Sequence, residues 1–102
     1  MLSAGTKQDS QVKDEDVVKH PKLYRVLLHN DHYTTMDFVV YILQDIFNKP
    51  HDEAVTIMLK VHREGVGVAG VYVRTVAEAK VETVHKIAKE NGFPLRCSIS
   101  PE

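Results

Sequence analysis

Three stretches of the chain repeat apolar residues at the spacing of an amphipathic helix, and this pattern limits the fold more than any other feature. The first stretch follows Thr35, a predicted N-cap, and stops at residues 48–50. The second has Pro50 in its predicted first turn and ends near Gly65. The third begins with a predicted capping box, Thr75 to Glu78, and ends at residues 91–92. Each helix therefore has a single apolar face, formed in chain order by Val39, Ile42, Leu43, Ile46 and Phe47, by Ala54, Met58 and Val61, and by Ala77, Val81, Val84 and Ala88.

Three shorter segments, residues 23–28, 66–73 and 95–99, have the composition or the alternation of β-strands. Glycines in and before the second of them indicate close packing or a β-bulge. The resulting order is β-α-α-β-α-β. With one apolar face per helix, it predicts an α+β fold, a two-layer sandwich in which helices cover a small antiparallel three-stranded sheet.

The length of 102 residues fits one domain. Residues 1–21 are mostly polar or charged, and such a composition buries too little apolar surface to offset the entropy of ordering. We therefore expect a flexible N-terminal extension at residues 1–21 and a folded domain at residues 22–102.

Charge and cysteine content exclude several classes of partner. Lys and Arg total 13 against 14 Asp and Glu, so there is no basic excess for nucleic acid or anionic membranes. No apolar run approaches the roughly 18 residues of a membrane-spanning helix. A single cysteine and an N-terminus without a secretory pattern fit the cytoplasm.

The segment from His29 to Met36 places many polar groups between the first strand and the first helix. Loops at this position often hold binding sites, but Asn and Asp also favour turns and Thr35 also caps a helix, so spacing alone leaves both interpretations open. The same holds for His62, which shares a helical face with Met58 and is either structural or functional.

A metal site or an enzyme is a weaker interpretation. His29, Asp31 and His32 suggest ligands, but no further well-spaced ligand follows, and we expect neither metal nor cofactor. Cys97 occupies an inward-facing strand position, where a thiol is usually inert. No glycine motif that cradles phosphate is present in the strand-to-helix order that it requires. We therefore expect no catalytic residues.

Several motifs in a fixed order resemble the ClpS adaptors of the bacterial N-degron pathway, over essentially all of residues 22–102. They read Asn30-Asp31-x-Tyr33-Thr34-x-Met36-x-Phe38-Val39-Val40, Met58-x-x-Val61-His62-x-x-Gly65, Gly70-Val71, Ala77-Glu78-x-Lys80-Val81 and Pro94-Leu95-x-Cys97. The resemblance implies the same fold. It also implies a non-enzymatic adaptor that binds proteins beginning with Leu, Phe, Tyr or Trp and delivers them to a Clp protease.

The resemblance implies that Asn30 and His62, together with Asp31 and His32 of the loop, hold the α-amino group of the substrate. Such an amine is mostly a cation near pH 7, and amide, carboxylate and imidazole acceptors suit it. His32 stands where most members have a second aspartate. The implied apolar pocket for the first side chain is formed by His29, Thr34, Met36, Val39, Met58, Val61 and Leu95.

The resemblance further implies that Glu78 and Lys80 contact the N-terminal domain of a ClpA-type AAA+ unfoldase, with the adaptor acting as a monomer. Spacing alone fits an ordinary solvated helix face equally well. The main alternative is an interaction domain without a degron pocket, which would be indifferent to the free amine of a peptide. A metal- or thiol-dependent enzyme is the third possibility.

Overall fold

The computed structural model describes residues 20–102. The predicted flexible extension at residues 1–21 lies, apart from its last two residues, outside the described part of the chain.

The described residues form three strands and three helices in the predicted order. The sheet is antiparallel with strand β1 in the centre, in the order β2-β1-β3. The elements are β1 (Leu23–His29), α1 (Met36–Asp45), α2 (His51–Glu64), β2 (Val66–Val73), α3 (Arg74–Glu90) and β3 (Arg96–Pro101). The predicted α+β class and three-stranded sheet are confirmed.

The first two helices begin and end near the predicted residues, with one difference. The Thr35 hydroxyl accepts a hydrogen bond from the Phe38 amide at 3.2 Å and caps α1 as predicted. Pro50 lies at the N-cap position of α2, with ψ of 158°, and not in its first turn. Gly65 ends α2 with a φ of 89°, a left-handed conformation that glycine adopts without a Cβ clash.

The predicted capping box at the start of the third helix is wrong. Strand β2 continues directly into α3, with Val73 at the N-cap position and no side-chain capping bond. Thr75 and Glu78 therefore lie inside the helix already. The Glu78 carboxylate instead pairs with Arg74 one turn earlier, at 2.9 Å from its Nε.

The hydrophobic core lies between the sheet and the three helices.

Two local features of β2 fit the predicted role of its glycines. The register with β1 shifts between Val26 and Leu27, which leaves Ala69 unpaired in a β-bulge. A Cβ at Gly67 would lie 2.8 Å from Cγ2 of Val61, so glycine lets α2 approach the sheet closely. The fully buried large side chains are Leu28, Ile42, Leu43, Val26 and Val84.

Candidate functional site

A backbone hydrogen bond joins the polar loop after β1 to the end of α2. The Asn30 amide donates to the Gly65 carbonyl at 2.9 Å. His62 lies in the last turn of α2, three residues before Gly65. The fold therefore brings Asn30 and His62, which are 32 positions apart in the sequence, to the same end of the molecule.

The carboxylate of Asp31 organises this loop. One oxygen accepts hydrogen bonds from the backbone amides of Tyr33 and Thr34, at 2.8 and 2.7 Å, and the other accepts from the Thr34 hydroxyl at 2.8 Å. Partial burial acts to raise the pKa of Asp31, but these hydrogen bonds and the nearby His32 outweigh it, so the pKa lies below its ordinary value of 3.8. Asp31 thus carries a full negative charge at neutral pH.

Between the loop, α1 and α2 lies a cavity of about 230 Å³. Its inner wall is apolar, because Met58 and Val61 are only 9% and 3% exposed and belong to the core. Its rim is polar and open to solvent. The lining residues are Asn30, Asp31, His32, Thr34, Met36, Val39, Met58, Val61 and His62.

The chemistry of this cavity combines hydrogen-bond acceptors with an apolar wall. Within residues 20–102, no protein group hydrogen-bonds the side chain of Asn30 or His62, so their polar atoms remain available to a ligand. The Asn30 amide oxygen and a neutral ring nitrogen of His62 are acceptors, and Asp31 adds negative charge. The arrangement suits a cationic donor that is attached directly to an apolar group.

In residues 20–102, no group of three or more His, Cys, Asp or Glu side chains is arranged to hold a metal ion. Across the same residues, each helix is too short or too polar to cross a membrane.

Comparison with known proteins places the chain in a family. A family model described as "ATP-dependent Clp protease adaptor protein ClpS" matches residues 19–98. The chain belongs to the ClpS family. The ClpS adapter protein of Lawsonia intracellularis (strain PHE/MN1-00) is 59% identical over 85 residues, which are 83% of this chain and 78% of the relative. That of Desulfatibacillum aliphaticivorans is 61% identical over 84 residues, which are 82% of this chain and 81% of the relative.

A solved structure, that of Agrobacterium tumefaciens ClpS2 bound to L-phenylalaninamide, has the same fold with a TM-score of 0.78. It is 40% identical and covers 81% of this chain and 100% of its own. The family resemblance and the expected fold are therefore confirmed.

Nine of the eleven residues expected at the ClpS pocket line the 230 Å³ cavity, and His29 and Leu95 do not. Leu95 is 3% exposed and packs in the core. The His29 ring lies within 2.8 Å of the Ser98 hydroxyl on the neighbouring strand. It lines a second cavity, which the loop from Asn30 to His32 separates from the first.

The sequence interpretation gave no site role to three residues of this second cavity, Tyr33, Pro94 and Arg96. It is lined by His29, Asn30, Asp31, His32, Tyr33, Pro94 and Arg96. Arg96 occupies a polar position in an alternating strand, where an exposed charge is ordinary, so only the pairing of β3 with β1 reveals that it adjoins the loop.

The two residues expected to dock an unfoldase have different surroundings. Glu78 is exposed and paired with Arg74. Lys80 is half-buried, and its Nζ donates to the Ile46 carbonyl at 2.7 Å beside the rings of Phe47 and Tyr72. Together with the C-terminus of α1, helix α3 forms a groove of about 470 Å³, lined by Asp45, Ile46, Thr75, Val76, Ala79, Lys80, Thr83 and Ile87.

Cys97 does not have the properties of a reactive nucleophile. It is buried, and burial raises the pKa of its thiol to about 12. A thiol with this pKa is protonated at neutral pH and therefore a poor nucleophile.

Proposed function

We propose that this protein is a non-enzymatic adaptor that binds the free N-terminal residue of substrate proteins beginning with Leu, Phe, Tyr or Trp. The bound substrate is then delivered to a Clp protease through a ClpA-type AAA+ unfoldase. The adaptor acts as a monomer, with residues 22–102 as its folded domain.

One observation carries the proposal: the 230 Å³ cavity has an apolar wall and, at its rim, acceptors without protein partners in the described residues. The N-terminal residue of a protein presents an ammonium group one carbon away from its side chain. Asn30, His62 and the charge of Asp31 match the ammonium, and Met58 and Val61 match the side chain. Burying a large apolar side chain contributes roughly 1.5–3 kcal/mol, which selects such residues over small or charged ones.

The ligand of the Agrobacterium relative supports this assignment. L-phenylalaninamide has a free α-amine and an aromatic side chain, as does a protein that begins with phenylalanine. An internal peptide bond offers one neutral donor and carries upstream chain, so the same cavity would exclude it.

The competing functions lack comparable support. An interaction domain without a degron pocket gives no reason for unpaired acceptors above a buried apolar wall. A thiol enzyme needs a reactive thiolate, which the raised pKa of Cys97 disfavours.

Docking to an unfoldase is the second part of the proposal. The groove beside α3 contains exposed Thr75 and Val76, the latter 40% exposed, and Glu78 projects from the same helix. This surface shares no lining residue with the 230 Å³ cavity, so a substrate and an unfoldase can be bound together.

The decisive experiment is fluorescence anisotropy with a labelled peptide that begins with phenylalanine, in free and N-acetylated forms. We expect the free peptide to bind and the acetylated peptide to bind at least tenfold more weakly, because acetylation removes the charge and two donors; a charge-assisted hydrogen bond contributes roughly 1.5–3 kcal/mol. Equal binding of both forms would favour the generic interaction domain.

A matched pair of histidine variants locates the binding site. His62→Ala should weaken binding of the free peptide roughly tenfold, whereas His51→Ala, at the other end of α2, should not. If both variants bind like the wild type at unchanged melting temperature, the amine site lies elsewhere.

A further inference from the structure

The second cavity, of about 310 Å³, lies directly beside the proposed amine site. The two cavities share Asn30, Asp31 and His32, and the loop that these residues form is the wall between them. An extended chain advances about 3.3–3.6 Å per residue, so a peptide whose first residue occupies one cavity has its second or third residue within reach of the shared loop.

Arg96 is the basic side chain of this cavity, and two histidines line it as well. Arg96 and His29 are register partners on β3 and β1, so their side chains stand on the same face of the sheet. His32 lines the cavity from the loop. The ion pairs among residues 20–102 are Lys49 with Glu53 and Arg74 with Glu78, and thus the guanidinium of Arg96 has no carboxylate partner there.

The carboxylate of Asp31, which also lines the cavity, is turned to its own loop. Its oxygens accept the hydrogen bonds from Tyr33 and Thr34 described above, which direct them towards the loop, while the carboxylate keeps its negative charge. Tyr33, 77% exposed, stands at the edge of the cavity and provides an unoccupied aromatic surface.

We propose that this cavity is a second subsite, which takes an acidic side chain at the second or third position of a bound peptide. The proposal rests on the proposed function, because the first residue of the peptide must occupy the neighbouring cavity. The formal net charge of the chain is −1, so its overall field does not attract acidic peptides and any preference for them arises locally.

Anisotropy with three peptides tests the subsite. They begin with Phe-Glu, Phe-Lys and Phe-Ala and are otherwise identical. At low ionic strength we expect the Phe-Glu peptide to bind about twofold to fivefold more tightly than the Phe-Lys peptide, the range of a partly exposed ion pair. The difference should shrink as salt is added.

The variant Arg96→Gln should abolish this difference while binding the Phe-Ala peptide like the wild type. Arg74→Gln is the matched control, because Arg74 follows the end of β2 that pairs with Leu23, at the opposite end of β1 from His29. It should keep the full preference. Moving the glutamate to the sixth position, beyond the reach of the cavity, should remove its advantage.

Different results overturn the two proposals. Equal affinities for the Phe-Glu and Phe-Lys peptides, or a preference that survives in Arg96→Gln, would eliminate the subsite and leave the amine site standing if acetylation still abolishes binding. Failure of all three peptides to bind would overturn both.

Discussion

The carboxylate of Asp31 has a structural role that the family resemblance does not specify. It was expected to hold the amine of the substrate, and it does line the cavity. Its hydrogen bonds, however, go to residues two and three positions later, which is the geometry of an Asx-turn. Asp31 thus fixes the loop that presents Asn30, and contributes negative charge to the pocket as well.

The lowered pKa of Asp31 predicts how the stability of the fold depends on pH. A carboxyl whose pKa is lower in the folded state stabilises that state above its unfolded pKa, and the contribution is lost as the pH falls through the folded pKa. Asp31→Ala removes three hydrogen bonds and should cost about 1–2 kcal/mol at pH 7. Thermal unfolding should show a melting temperature lower by about 5–10 °C.

The difference between wild type and Asp31→Ala should narrow as the pH falls below about 4, from the unfolded-state pKa of the carboxyl towards its lower folded-state pKa. Glu82→Ala, which removes an exposed carboxylate from α3, is the control and should change the melting temperature little. A difference that stays constant from pH 7 to pH 3 would mean that the charge of Asp31 does not stabilise the loop.

At the scale of single residues, the sequence predicts which residues belong to the site region better than it predicts their contacts. Residue types and motif order were sufficient to name Asn30, His62 and the apolar wall. The exclusion of Leu95 from the cavity depends on where β3 begins, and that of His29 depends on which face of β1 its side chain occupies. Alternation gives relative faces along a strand, but not which cavity a side chain at its end will adjoin.

At the scale of elements, Lys80 connects two helices. The last carbonyls of a helix have no hydrogen-bond donor within the helix. The ammonium of Lys80 on α3 donates a hydrogen bond to the carbonyl of Ile46, the C-cap residue of α1. A cation is also favourable near the negative end of a helix. Spacing assigned this lysine to a solvated face and the family resemblance assigned it to docking, since neither can show that α1 ends opposite it.

Lys80→Ala should therefore destabilise the protein and not only weaken docking. Loss of a hydrogen bond from a charged donor should cost roughly 1.5–3 kcal/mol. The melting temperature should fall by on the order of 10 °C. Lys86→Ala, on the exposed side of the same helix, is the matched control.

Glu78→Ala separates docking from stability. Its pair with Arg74 is exposed to solvent and contributes little to stability, so this variant should stay folded. An unchanged melting temperature for Lys80→Ala would show that the contact with Ile46 is not stabilising.

The helices and strands themselves were largely predictable, because apolar spacing reports which face of each element is buried. The start of α3 was not. A Thr-x-x-Glu pattern forms a capping box only when its threonine occupies the N-cap position. Because β2 continues directly into α3, Val73 occupies that position and Thr75 already lies within the helix.

At the scale of the whole molecule, the proposed functions occupy separate surfaces. The 230 Å³ cavity, the proposed amine site, is built from residues between Asn30 and His62, and the proposed docking groove from α3 and the end of α1. Neither is lined by residues 20–28, although β1 holds the sheet together as its central strand. We therefore expect substrate binding to depend on residues 22–102 alone, and delivery to depend also on the polar extension expected at residues 1–21.

Deleting residues 1–21 tests this division. The shortened protein keeps Leu23, whose carbonyl accepts a hydrogen bond from the Glu102 amide at 3.0 Å, and with it all of β1. We expect its affinity for a Phe-starting peptide to stay within about twofold of that of the full chain, because the cavity is lined by residues between Asn30 and His62. A twofold change corresponds to less than about 0.5 kcal/mol. Degradation of a Phe-starting fluorescent protein by a ClpA-type unfoldase and its protease should slow markedly.

Deleting residues 1–26 is the contrasting control, because it removes buried Val26 and four register pairs with β2, and it should abolish folding and binding together. Loss of peptide binding in the 22–102 protein would show that the extension belongs to the binding site, and an unchanged degradation rate would show that it has no part in delivery.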